Sequence, residues 1–81
     1  MAHKYRVVQA KQNGSPMNLA IFNSREFQGR GPLSVARFIL PPGILNVRLI
    51  SAREVFQGEP TYIQLCDEFD KVFNVAYDMP T

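Results

Sequence analysis

Few side chains in this sequence are equipped for chemistry. His3 is the only histidine, and it stands at the very start, without the rigid frame that a proton-transfer group needs. Cys66 is the only cysteine, so an intrachain disulfide and a zinc site of paired thiolates are both excluded. With Asp67 beside it, the thiol reads as neutral and structural. Asp67, Glu68 and Asp70 look like a fragment of a cation loop, but the remaining oxygen ligands and the internal glycine are missing. Glu54 and Glu59 offer two carboxylates with no third group to complete an acid–base site. Gln28-Gly29-Arg30-Gly31 is glycine-rich but lacks the lysine and hydroxyl of a phosphate loop. These residues predict no catalytic group, no metal and no cofactor, and so a protein that is not an enzyme.

What the sequence does hold is charge sorted by position. Residues 1–48 carry seven basic side chains (Lys4, Arg6, Lys11, Arg25, Arg30, Arg37 and Arg48) against Glu26 alone, a net of +6. Residues 49–81 carry Arg53 and Lys71 against six acids, a net of −4. The total of +2 hides this division. A basic half containing aromatic rings predicts a surface that faces a polyanion, with an acidic second half able to screen it.

Positioning those cations falls to short extended elements. Tyr5 to Ala10 reads as a strand, with Lys11 and Gln12 leading into a turn, and Asn13-Gly14-Ser15-Pro16 is a strong turn signal. Met17, Leu19 and Ile21 then alternate with polar or small residues. Ser24 to Pro32 reads as a loop or hairpin tip, because Gly29, Gly31 and Pro32 interrupt it. Leu33 to Leu40 admits two readings. As a helix it would carry Pro32 in its first turn, with Leu33, Val35, Ala36 and Ile39 forming a stripe; as a strand it would alternate, with Arg37 on an inward face. The short run and its β-branched residues favour the strand. Ile44 to Ala52 is the clearest strand, with Leu45, Val47 and Leu49 on one face and Asn46, Arg48 and Ile50 on the other. Gln57-Gly58-Glu59-Pro60 turns the chain into a strand from Thr61 to Cys66. Asp67 to Asp70 reads as a polar turn or a single helical turn, and Phe73, Val75 and Tyr77 mark a last strand, with residues 78–81 frayed.

Eighty-one residues make one domain spanning the sequence. Its 46% hydrophobic and 20% charged residues suit a globular protein. The expected fold is all-β: a small five- or six-stranded barrel with protruding hairpins, since closure removes exposed sheet edges. Asn18 to Pro32 and Asn46 to Pro60 echo each other as strand, Arg-Glu, aromatic, Gln-Gly and Pro. That pattern fits either a duplicated hairpin or the shared grammar of strands and turns. The single cysteine and the lack of a signal peptide or membrane span predict an intracellular protein.

On a small barrel, a basic groove crossed by aromatics holds single strands, with phosphates on cations and bases on rings. Arg6, Lys11, Arg25, Phe27, Arg30 and Arg48 are the candidate nucleic-acid-binding residues. Arg25 and Arg30 flank Phe27 in the glycine-rich loop, the best local pairing of cations with a ring, whereas Phe22, Phe38, Phe69 and Phe73 read as core.

Gly14-Ser15-Pro16, the run from Pro32 to Phe38, and Pro41-Pro42-Gly43 leading through Ile44 to Val47 and on to Gln57-Gly58 give this sequence a family likeness. It resembles the small single-stranded-DNA-binding replication proteins of filamentous phages. The resemblance implies a dimeric OB-like barrel that coats single-stranded DNA, in a phage-infected cell. It also implies that Asn13 to Asn18 form a DNA-binding wing, and that the hairpin around Phe56, Gln57, Gly58, Glu59 and Pro60 builds a homodimer. Met17 departs from the family at the wing, where an aromatic is usual after the proline.

The sequence therefore predicts a non-catalytic, largely sequence-independent binder of single-stranded nucleic acid. The competing expectation is a small phage-like structural or interaction module, assembled through complementary basic and acidic faces.

Overall fold

The computed structural model describes residues 5–12, 15–19, 27–57 and 61–80. It contains strands β1 (Arg6–Gln12), β2 (Ser15–Pro16), β3 (Leu45–Ile50), β4 (Tyr62–Cys66) and β5 (Val72–Asp78), with helices α1 (Pro32–Ile39) and α2 (Ala52–Phe56). The strands form one antiparallel sheet in the order β2-β1-β4-β5-β3. Among the described residues no ladder joins β2 to β3, so the sheet is open where the sequence favoured a closed barrel.

One sheet face carries the main core. Ile63 and Leu65 of β4 and Val75 and Tyr77 of β5 pack against Phe27 and α1. The helix buries Val35, Ala36 and Ile39, one stripe of its surface, and leaves Arg37 exposed. This corrects the expected strand over Leu33 to Leu40. Pro32 starts the helix without losing a needed hydrogen bond. Leu40 precedes Pro41 and is therefore pushed to extended backbone (ψ 158°), which ends the helix. Burial of the stripe outweighs the modest extended preference of Val35 and Ile39.

The second helix follows β3 directly. Ser51 Oγ accepts from Glu54 N at 3.2 Å, and Glu54 Oε2 accepts from Ser51 N at 2.6 Å. This reciprocal cap satisfies two amides that a helix start leaves without partners. Val55 packs on a smaller cluster of Ile50, Tyr62 and Ala76, on the sheet face opposite the main core. Phe56 at the end of α2 is 91% exposed.

The polar turn expected at Asp67 to Asp70 joins β4 to β5. Asp67 Oδ1 accepts from the backbone of Phe69 and Lys71, both at 2.9 Å. Asp70 takes positive φ (60°), a conformation that aspartate tolerates. At the far end, Asp78 closes β5 and Met79 packs against the core, where fraying was expected from residue 78. Met17 and Leu19 also pack on the core, as their alternation implied. Residues 20–26 of the first copy of the internal echo lie outside the described residues; the second copy is a strand followed by a helix, not a hairpin.

Candidate nucleic-acid interface

Residues opposite one another on paired strands share a sheet face. Lys11 of β1 is paired with Tyr62, Tyr62 with Ala76, and Ala76 with Arg48 of β3. These four form one row across the sheet. A second row runs Gln9, Gln64, Asn74 and Ile50, and a third runs Arg6, Cys66 and Val72. All three rows lie on the face away from the main core. Thus Arg6, Lys11 and Arg48, from two strands near opposite edges, share a face. Three strand spacings separate Lys11 from Arg48, about 14 Å between backbones.

Two irregularities set this arrangement. The β1–β4 register shifts between Val7 and Gln9. Val8 is the extra residue and is 52% exposed. Strict alternation from Val7 would have turned Lys11 toward the core; the bulge returns Ala10 to the core and Lys11 to the face of Arg6. The β3–β5 register shifts between Leu45 and Arg48. There Asn46 adopts φ 51°, and its Nδ2 donates to Asp78 Oδ2 at 2.7 Å. Leu45, expected inward with Val47 and Leu49, is exposed as a result.

The cations rim the face, and its middle is filled. Tyr62 and Ala76 are buried beside Val55 of α2. Gln64 Nε2 donates to Asn74 Oδ1 at 2.8 Å, pairing the central amides with each other. The Lys11 ammonium lies 5.9 Å from the Tyr62 ring centre. Arg48 Nη1 donates to Asn46 O at 3.4 Å. Arg6 Nη2 donates to Asp70 Oδ1 at 2.8 Å, so one cation is partly screened by the acidic second half. Such an exposed pair is worth about 0–1 kcal/mol. Below the Lys11 end of the row, the Tyr77 hydroxyl donates to Lys11 O at 3.3 Å and lies 2.9 Å from Met17 Sδ. Burial pushes the Tyr77 phenol above its ordinary value of 10.0. Tyr5 is raised too, first by burial and then by the charge of Asp67.

The other expected site residues go elsewhere. Phe27 is 0% exposed and meets Phe38 edge-on, with ring centres 5.7 Å apart; it offers no face to a base. Its polar sequence neighbours disguised a core ring. Arg30 sits over Phe38, 5.6 Å from the ring centre, on the helical layer and away from the Lys11–Arg48 row. Arg25 lies outside the described residues, as do Asn13 and Gly14 of the expected wing; Ser15 and Pro16 form β2. Of the expected dimer hairpin, Phe56 ends α2 and Gln57 caps it, while Gly58, Glu59 and Pro60 are outside the described residues.

Phe56 is the ring that sequence reading misplaced. It extends from a helix lying on the cationic face, and the signal that finds it is Ser51-Ala52-Arg53-Glu54, a capping-box spacing that starts a helix just before it. The arrangement can bind phosphate and stack a base. Cys66, whose thiol donates to Asp67 O at 3.6 Å, is buried beneath it. Among the described residues no cluster of three or more metal-ligating side chains occurs, and no helix is long and apolar enough to cross a membrane. Comparison with protein-family models, curated proteins and solved structures yields no match.

Proposed function

We propose that this chain binds single-stranded nucleic acid, DNA in the first instance, without catalysis and largely without sequence preference. Phosphates lie along the row from Lys11 to Arg48, with Arg6 as a further contact, and a base stacks on Phe56. The observation that carries this reading is the bulge at Val8, which turns Lys11 onto the face shared by Arg6 and Arg48. Stacking on an exposed ring contributes about 1–3 kcal/mol per base and is indifferent to base identity. An open sheet serves this purpose as well as the OB-like barrel, since phosphates need a face and not a closure. The likeness of the Gly-Ser-Pro and Pro-Pro-Gly segments to the phage replication proteins supports a strand-coating role inside an infected cell. Assembly through opposite basic and acidic faces is less favoured, because Arg6 already pairs with Asp70 of its own chain.

The test is a titration of fluorescent oligonucleotides of unrelated sequence at several salt concentrations. Lys11→Ala and Arg48→Ala each weaken binding equally for every sequence. Each lost phosphate contact lowers the slope of log affinity against log salt by about 0.7. Arg30→Ala leaves both quantities unchanged. Undiminished affinity in the Lys11 and Arg48 variants overturns the assignment.

A further inference from the structure

The two edges of the sheet are unlike. At one, β2 is two residues long and ends in Pro16, which cannot donate to a neighbouring strand. Short length and proline are how proteins blunt an edge. At the other, β3 spans six residues and, among the described strands, pairs only with β5. Leu49, near its C-terminal end, is 49% exposed. The bulge around Asn46 interrupts β3, leaving Arg48 to Ile50 as its regularly paired stretch, with Leu49 at its centre.

We infer that β3 pairs antiparallel with β3 of a second copy of this chain, with Leu49 facing the partner's Leu49 across a two-fold axis. The inference rests on the proposed function for its ligand, though not for its interface. In this register Arg48 lies opposite the partner's Ile50, and Val47 opposite the partner's Ser51. The Glu54 carboxylate is fixed at the amide of Ser51, 2.6 Å away. Each subunit thus carries a carboxylate one residue step from the partner's Arg48, which complements that charge twice over. Arg48 does not stand against the partner's Arg48, as it would if the partner strand slipped by two residues. The chosen register also leaves both bulges outside the paired stretch. An axis through Leu49 perpendicular to the sheet keeps like faces together, so the row from Lys11 to Arg48 runs into the row of the partner's Ile50, and the row of the partner's Arg48 and the partner's Lys11 lies two residues along the strand on the same face. The partner completes the nucleic-acid track.

Light scattering on the eluting full chain, with and without a single-stranded oligonucleotide, reads the assembly. Twice the chain mass is expected without ligand, with one oligonucleotide shared by two chains. Leu49→Lys, an exposed substitution that places like charges on the axis, should raise the dimer dissociation constant about tenfold or more, a 1.4 kcal/mol loss. Leu49→Cys should oxidise to a covalent dimer, whereas Leu33→Cys on α1 should not; this second variant decides the matter if the lysine variant fails to fold. A monomeric wild type, or a dimer whose Leu49→Cys variant does not cross-link, overturns the pairing, whatever the oligonucleotide does. A cross-linking dimer that ignores the oligonucleotide establishes the pairing and overturns the shared track together with the binding reading.

Discussion

At the scale of single residues, the Arg6–Asp70 pair divides the two halves of the charge pattern most clearly. Both side chains are largely exposed, so Asp70→Asn should change the melting temperature little. It should strengthen oligonucleotide binding and steepen its salt dependence, because one cation is released. Unchanged affinity would remove Arg6 from the interface. Phe27 behaves oppositely: it is fully buried, and Phe27→Ala should cost about 3–5 kcal/mol in denaturant unfolding. Tyr77 makes stability depend on alkaline pH. Its folded pKa is raised, so the unfolded chain releases the phenolic proton first. The Tyr77 contribution is present in full below the unfolded value near 10.0 and is lost as pH rises through the higher folded value. Tyr77→Phe should flatten the alkaline fall in unfolding free energy, measured from neutrality to beyond pH 10.

At the scale of elements, the strands were largely legible and the helices were not. Tyr5 to Ala10, Ile44 to Ala52, Thr61 to Cys66 and the run from Phe73 each overlap an observed strand, because one buried face imposes alternation. The two helices are eight and five residues long, too short for periodicity to separate them from strands. Only local signals mark them: Pro32 at one start, and Ser51 with Glu54 at the other. Ser51→Ala should cost about 0.5–2 kcal/mol by removing a cap. The bulges were illegible, since an extra residue carries no compositional mark, and yet they decide which way Lys11 and Leu45 face. Deleting Val8 should leave β1 a regular strand with the same residues on each side. A cooperative melt shifted by less than about 8 °C, or roughly 1 kcal/mol, is expected; collapse of the fold would show that the bulge is required for pairing.

At the scale of the whole molecule, the sheet separates the described cations of residues 1–48 into two groups. Arg30 and Arg37 belong to the layer of α1, while Arg6, Lys11 and Arg48 belong to the opposite face. The linear sequence presents all of them as one basic half and cannot reveal this division, because it depends on strand order and register. A topology that interleaves β4 and β5 between β1 and β3 also draws the acidic half into the centre of the sheet. Asp70 reaches Arg6, and Asp78 reaches Asn46, from opposite ends of β5.

That interleaving has a consequence for manufacture. The strand that joins β3 to the remainder of the sheet is the last of the five to leave the ribosome. Until β5 emerges, β3 has no partner among the described strands, so an interruption of translation before Val72 yields a product that cannot close this seam and is suited to capture by chaperones or proteases.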